Sequence, residues 1–503
     1  MRAWSRALLA GGIAAACVVA LAQRARSQQP SASDPVAEIA AAVEDGIRAR
    51  GSLHNSRVGV SVVDVATGRE LYSRDPDGSY NVASNAKLVT IAAALALLGP
   101  DYTYQTSVYA DAVDDAGVVQ GDLVLVGRGD PSVDTEALRM LAADLQLAGV
   151  TRVTGGLVLD DTYFDDETMP PHFDEQPDEQ GSFRAPVGAL SLNFNAVNVL
   201  VRPGRTAGSP AIFALDPPNN YVVITGGVTT VRSGRTRLSV KTTEKKDALE
   251  LRIIGQIRLD ARTRRIRRRI ADPFLYVGTA FRRALEDRGI KLGRRKLTRG
   301  PAAPTATALA TYRSPQLSTL LQGLGKYSNN FVAEMVFKTI GAESLDPLRP
   351  ATWADAQAAV KQFLVDQIGL APDSFRIDNG SGLFDSNALT PRQLTTVLAA
   401  AYRDFRYGPE MVASLALGGA DGTLDERMVD GPGERQVRAK TGTLDHVSTL
   451  SGYVAIDGIT PLAFSVVVND VPKVRGATGD ARSLQDDVAE SLVVYLRSMA
   501  SQK

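Results

Sequence analysis

The sequence predicts an α/β body split by a long β-rich insertion, and three observations carry that prediction. A hairpin pattern, "RVGVSVVDVATGRELYSRDP", is followed at once by the apolar helix pattern "NVASNAKLVTIAAALALLG" from Asn81 to Gly99. Further strand patterns, "RQVRAKTGTLDHVSTLSGYVAI" and "PLAFSVVVND", arrive only near the other end of the chain, before a helical pattern from Ala481 to Met499. Between them, from Tyr102 to Pro304, short Val/Leu/Ile runs alternate with Gly, Asp and Pro, which is the pattern of successive strands and turns.

Taken in order, Val58 to Val65 read as a strand, "ATGR" as its turn and "ELYS" as the return. The insertion contributes "GDLVLVGRGDP", "VTGGLVLDD", "NAVNVLVRPG", "YVVITGGVTT" and "ALELRIIGQIRLD", with one helix-like piece, "FLYVGTAFRRALEDRGIKLG", close to its end. From Arg313 to Ala416 the patterns are mostly helical. The late strand candidates are rich in Val, Thr and aromatics. In the last helix, Leu484, Val488, Leu492 and Leu496 form one stripe. No fixed-period repeat occurs.

Composition removes several function classes. Lys+Arg and Asp+Glu both number 56 in 503 residues, so no net field draws the chain to nucleic acid or a membrane. Arg2 and Arg6 precede an apolar run, Ala7 to Ala22, with Ala20-Leu21-Ala22 as a small-residue cleavage site. This is the pattern of a secretory signal over residues 1–22, with an uncleaved anchor as the alternative, and it predicts a periplasmic or otherwise extracytoplasmic protein. The sole cysteine, Cys17, lies inside that run; the apolar run continues past it, which speaks against a lipoprotein signal. The mature chain therefore has no disulfide and no thiolate nucleophile. His54, His172 and His446 are far apart and no H-E-x-x-H occurs, which leaves no zinc-hydrolase pattern. No G-x-S-x-G elbow is present. "ARTRRIRRRI" carries six arginines between Arg262 and Arg269 and reads as a solvated strand or turn, with an anion-binding patch as the functional alternative. "DDTYFDDET" lacks the spacing of a calcium loop and reads as a surface turn.

Ser84 and Lys87 open the Asn81–Gly99 pattern. A serine at a helix start is an ordinary cap, but a lysine at the root of an apolar helix is unusual unless paired. Residues three apart share a helix face, so the pair is either a cap beside a snorkelling lysine or a nucleophile beside its base. Two later stretches decide between them. "KYSNNF" sets Ser328 and Asn330 two apart in a polar break between helical patterns, and "AKTGTL" sets Lys440, Thr441, Gly442 and Thr443 on a strand. In the penicillin-recognising serine enzymes three such elements meet at one site. A serine hydroxyl needs an adjacent base, and a lysine serves as one when desolvation and a neighbouring cation, Lys440, lower its pKa. The Ser328 hydroxyl can relay a proton to the leaving amine, and Asn330 can hold the substrate amide and Lys87. Gly442 leaves room for a substrate backbone. Lys440 and Thr441 offer a cation and a hydroxyl to a terminal carboxylate, and the backbone N–H groups of Ser84 and Thr443 an oxyanion hole.

The chain resembles the class C penicillin-binding proteins, secreted D-alanyl-D-alanine carboxypeptidase/endopeptidases. Ser84-Asn85-Ala86-Lys87, Ser328-Asn329-Asn330 and Lys440-Thr441-Gly442-Thr443 carry the likeness, with "GRGDPS", "LNFNAVNVLVRPG", "DNGSGL" and "GGADGTLDERM" beside them. The 244 positions from Ser84 to Ser328 match the family's spacing, in which the gap holds two extra domains, one nested in the other. The resemblance thus implies a penicillin-binding-protein/serine β-lactamase-like transpeptidase domain, with an antiparallel sheet and a helical region, in two parts, 31–102 and 308–503. Inserted domain II would occupy 103–190 and 271–307, and nested domain III 191–270. It implies Ser84, Lys87 and Ser328 as catalytic, and Asn330, Lys440, Thr441 and Thr443 as substrate-binding. It also implies no metal and no cofactor, peptidoglycan stem peptides and cross-links as substrates, and β-lactams as covalent inhibitors. Val82 replaces a proline common in relatives, and "DEQGSFRAPVGALSL" lacks their tryptophans; both bear on pocket shape rather than chemistry. The rival readings are a β-lactamase-like hydrolase and a non-catalytic wall-binding or β-lactam-sensing module. A serine esterase would have tyrosine where Ser328 stands.

Overall fold

The computed structural model describes residues 35–501 apart from 177–178, 295 and 345–348. The secretory-signal pattern and Cys17 lie outside the described residues. The body is built on a six-stranded sheet ordered Glu70–Arg74, Arg57–Asp64, Leu462–Asn469, Val447–Val454, Val437–Leu444, Ala416–Leu417. Every neighbouring pair in it is antiparallel. Arg57–Asp64 pairs with Leu462–Asn469 over its whole length, from Arg57 opposite Asn469 to Asp64 opposite Leu462. The first and last strand patterns of the chain therefore close one sheet, as the split-body prediction requires.

Both faces of this sheet are covered, and Val447–Val454 and Leu462–Asn469 are buried at every position. Alternate side chains point to opposite faces. Phe464, Val466 and Val468 pack with Ile39, Val43, Leu484 and Val488 of the terminal helices Pro35–Ala49 and Ala477–Ala500. Ala463 and Val467 instead join Leu394 and Val397 of helix Pro391–Arg403. Behind them helix Ala86–Leu97 is buried continuously from Ala86 to Leu95, because it runs through the middle of the helical region. Leu317–Tyr327, Asn330–Ser344 and Trp353–Asp366 surround it.

The insertion leaves and re-enters the body at one place. Gln105–Ala110 pairs antiparallel with Thr307–Arg313, Gln105 opposite Arg313, and the Leu317 N–H donates to the Tyr102 carbonyl at 2.8 Å. The return strand thus runs past Pro304 to Arg313. These strands belong to a five-stranded sheet with Thr298–Arg299, Leu157–Asp160 and Leu123–Val126. Two helices accompany it, Pro273–Asp287 and Thr135–Leu147. The second is absent from the sequence reading although its signals are plain: Asp134 accepts from the Ala137 N–H, and Leu138, Leu141 and Leu145 form a buried stripe. Residues 196–269 form two three-stranded sheets, Ile212–Asp216/Ala196–Arg202/Arg264–Arg269 and Val222–Val231/Ala248–Arg258/Arg237–Lys245. Val199, Val201, Leu251 and Ile253 from both lie in one apolar core. The arginine run falls on the strand Arg264–Arg269, exposed at Arg264, Arg265 and Arg267, half-buried at Ile266 and Arg268, and buried at Arg269. No helix among the described residues is long and apolar enough to cross a membrane, and no cluster of three or more His, Cys, Asp or Glu among them is arranged to hold a metal.

The acidic stretch is more than a surface turn. Asp165 and the Glu167 carbonyl both accept from Lys338, which is wholly buried in helix Asn330–Ser344. The Lys338 amine also lies over the rings of Phe164 and Trp353, at 5.3 and 4.8 Å, so one cation clamps the insertion to the body. Asp165→Asn leaves that buried charge without its counter-ion, a change expected to cost about 2–3 kcal/mol. Asp166, whose side chain is 92% exposed in its pair with Arg299, is the control, and its Asn variant should cost under about 1 kcal/mol. Urea unfolding of the two variants measures the difference.

Candidate active site

Ser84 stands in a short 3-10 turn, Ala83–Asn85, at the mouth of helix Ala86–Leu97. The turn begins at Ala83 in the left-handed region, φ 45°, a costly conformation for alanine. Its N–H is held by the Asn81 side chain at 2.9 Å. Asn85, also buried, donates to the Lys440 carbonyl at 2.8 Å and accepts from the Ser451 hydroxyl at 2.6 Å. Thr449 donates to the Val82 carbonyl at 3.2 Å. These bonds fasten the turn to the Val437–Leu444/Val447–Val454 hairpin. The Ser84 hydroxyl does not cap the helix, which has no side-chain cap; it lies 2.9 Å from the Lys87 amine.

Lys87 is wholly buried. Its Nζ reaches Ser84 Oγ at 2.9 Å, Asn330 Oδ1 at 2.8 Å and the Ser381 carbonyl at 2.7 Å. Burial pushes its pKa down to about 7, against an opposing pull from the Glu334 carboxylate. The amine is therefore partly neutral near neutral pH, as a general base must be. Glu334, itself fully buried, accepts from the N–H groups of Gly380 and Ser381 at 3.0 and 2.9 Å. That pair of bonds aims the Ser381 carbonyl at Lys87.

Ser328 sits between helices Leu317–Tyr327 and Asn330–Ser344 with φ 59°. This left-handed residue makes the sharp break read in "KYSNNF". Its hydroxyl accepts from Lys440 Nζ at 2.9 Å, and the same amine donates to the Thr441 carbonyl at 2.6 Å. Lys440 is fully buried, and its pKa falls well below the ordinary lysine range, first through burial and then through the nearby Lys87. Of the two causes expected for Lys87, desolvation and the cation Lys440, burial is the one that lowers it here, and the like-charge contact of the two amines lowers Lys440. Asn330 turns its amide N–H outward to the Phe183 carbonyl at 3.1 Å, so a backbone group of the insertion fixes which way its oxygen points.

Ser84, Lys87, Ser328, Asn330 and Lys440 thus form two hydrogen-bonded sets. Ser84 and Ser328 share with Thr441, Thr443 and Arg482 the wall of a cleft of about 580 Å³. Lys440 lies behind that wall. Arg482 Nη2 stands 3.5 Å from Thr443 Oγ1, bringing a guanidinium to the end of the cleft. A Cβ on Gly442 would lie 2.2 Å from Thr449 Oγ1 and 3.0 Å from the Ser84 nitrogen, so only glycine lets the strand approach the serine turn this closely.

Sequence reasoning missed Glu334, Arg482 and the Phe183 carbonyl. Glu334 carried a usable signal, since a carboxylate inside "NNFVAEMVF" is as odd as a lysine inside "NAKLVTIAAAL". Arg482 is one charge on a polar helix face, and a backbone carbonyl leaves no trace in composition.

Comparison with known proteins gives the family and the fold. The family model for D-Ala-D-Ala carboxypeptidase 3 (S13) matches residues 39–490. The chain is 35% identical over 471 residues to a D-alanyl-D-alanine carboxypeptidase of Actinomadura sp. (strain R39), covering 90% of this chain and 84% of that one. It is 24% identical to the D-alanyl-D-alanine carboxypeptidase DacB of Haemophilus influenzae, covering 80% and 82%. Among solved structures, penicillin binding protein 4 (dacB) from Haemophilus influenzae superposes with a TM-score of 0.74 at 20% identity, over 89% of this chain and 99% of that one. The Bd0816 predatory endopeptidase from Bdellovibrio bacteriovorus does so with a TM-score of 0.55 at 15% identity, over 88% and 94%. These superpositions establish a shared fold, and the family model spans nearly all of the sequence: the chain belongs to the D-Ala-D-Ala carboxypeptidase 3 (S13) family.

Proposed function

We propose that the protein cleaves D-Ala-D-Ala termini and cross-links of peptidoglycan stem peptides through an acyl-enzyme on Ser84, outside the cytoplasm, and that β-lactams acylate the same serine. The observation that carries this reading is the buried Lys87 amine 2.9 Å from Ser84 Oγ. In the acylation step the neutral Lys87 amine takes the hydroxyl proton as Ser84 Oγ bonds to the scissile carbonyl carbon. The oxyanion so formed faces the N–H groups of Ser84 and Thr443. Ser328 passes a proton to the leaving amine as the C–N bond breaks, and Lys440 behind it can replace that proton. Water then attacks the ester carbonyl carbon and the C–O bond to Ser84 breaks, Lys87 returning its proton to Ser84 Oγ and one water proton resetting Lys440. Asn330 orients Lys87 and the substrate amide. Thr441 and Thr443 meet the terminal carboxylate, with the charge of Arg482 at the cleft end and of Lys440 beneath. The same reading assigns residues 31–102 and 308–503 to the catalytic domain, 103–190 and 271–307 to an inserted domain, and 191–270 to a second domain nested in it, except that the strand Thr307–Arg313, paired with Gln105–Ala110, goes with the inserted domain.

Two measurements test the assignment. Labelled penicillin should modify Ser84 alone by peptide mapping, and Ser84→Ala and Lys87→Ala should each abolish labelling while leaving the fold intact. Purified muropeptides, cross-linked and not, should lose terminal D-alanine or be split, as read by mass spectrometry. Label on another residue, or unchanged muropeptides, would refute the reading.

The electrostatics predict a pH profile. Because burial holds Lys87 near 7, the acylation rate should rise as pH increases through about 7 and level off above it. Glu334 favours the charged amine, so Glu334→Gln should move the midpoint to lower pH, and also slow the plateau by loosening the Ser381 carbonyl. Stopped-flow acylation by a chromogenic β-lactam across pH 5–9 (roughly the span over which such an amine titrates) reads both effects. A midpoint that stays put or moves upward in Glu334→Gln would exclude the Coulombic link.

A further inference from the structure

The chain has no net charge, with 56 basic and 56 acidic side chains, yet residues 191–270 carry sixteen Lys and Arg against five Asp and Glu. That imbalance is a standing cost of like-charge repulsion unless an anionic partner offsets it. The pairing registers show where the charge is displayed. Arg265 lies opposite Leu200 and Arg267 opposite Asn198, and Ile212 lies opposite Arg202. Residues paired across strands share a face, so Arg202, Arg265 and Arg267 stand on one side of the sheet, and Val197, Val199 and Val201 on its buried side. The ion pairs in this stretch among the described residues, Lys245–Glu250, Arg258–Asp260 and Arg269–Glu244, take up none of the three.

This face is packed against the helix that carries Asn330. The Arg267 guanidinium lies over the Phe194 ring at 5.4 Å, Phe194 meets Phe331 edge-on at 6.0 Å, and Phe331 follows Asn330 in the chain. We propose that the Arg202/Arg265/Arg267 face is a docking surface for a carboxylate-bearing peptidoglycan strand, one of whose stem peptides occupies the Ser84 cleft. The proposal rests on the function inferred above and names the polymer contact of the same site. Guanidinium groups match carboxylates in planar, two-pronged geometry. The packing of this face against the Asn330 helix favours the polymer that carries the scissile bond over a separate anionic body. Leu200 and Ile212, the large aliphatic side chains here, are too few to anchor a lipid surface.

The test is pelleting of the Ser84→Ala protein with purified sacculi stripped of attached phosphate polymer, so that binding is read without turnover. Binding should weaken as salt rises, and Arg202→Gln/Arg265→Gln should reduce it about five- to ten-fold at low salt. Lys241→Gln/Arg252→Gln removes equal charge from the exposed side of the neighbouring sheet and should leave binding within about two-fold. With Ser84 restored, both double variants should be acylated by penicillin at the unaltered rate, which verifies the fold. Absence of sacculus binding, or equal losses in the two variants, would overturn the proposal. Binding only to sacculi that retain phosphate polymer, or only to anionic lipid vesicles, would do so too. Failure of the Ser84 protein to react with penicillin would count instead against the functional reading.

Discussion

A lysine amine can be taken out of water only where hydrogen-bond partners converge on it and its charge is compensated or given up. Lys87 meets both conditions, and much of the body is arranged to supply them. The helix that carries it is apolar on every side and buried through its first ten residues. The acceptors come from three parts of the chain: Ser84 from the preceding turn, Asn330 from the far side of the insertion, and the Ser381 carbonyl from a loop pinned by Glu334. Burial lowers the pKa of the amine, and the three acceptors fix where it points.

The insertion is part of this arrangement. Its Phe183 carbonyl orients Asn330, and Lys338 on the same helix as Asn330 is clasped by Asp165 and Glu167. His172 bridges Glu175 and Asp378. Asn379, beside Asp378, donates to the Pro171 carbonyl and belongs to the loop that presents Ser381. The two carboxylates together hold the His172 imidazole above its ordinary pKa although burial opposes them. The inserted segment around 165–184 thus touches both supports of Lys87, the Asn330 helix and the Ser381 loop.

The two buried lysines divide the work by position. Lys87 has a carboxylate, Glu334, near enough to moderate its loss of charge. Lys440 is pushed down by burial and, beyond that, feels Lys87 as a like charge. The Lys440 amine donates to Ser328 from behind the cleft wall, while the exposed Arg482 guanidinium stands at the cleft end.

The sequence by itself determined the split body, its hairpins and terminal helix, and the three motifs. Each rests on local information: period-two and period-3.6 apolar patterns, a helix break at Ser328, and residue types whose chemistry is unusual where they stand. The helix Thr135–Leu147 was equally local, with its Asp134 cap and leucine stripe, and was simply passed over. The tertiary structure alone decided which groups complete the site. That Glu334 faces the Ser381 loop, that Lys440 lies behind the cleft wall, and that a carbonyl at Phe183 orients Asn330 are consequences of packing between segments 46 to 147 positions apart or of backbone atoms every residue possesses. The arginine strand marks the boundary between the two kinds of knowledge. Its charge is read from sequence, but only the pairing register shows which arginines share a face, because side chains alternate along a strand and its neighbours decide which side is buried.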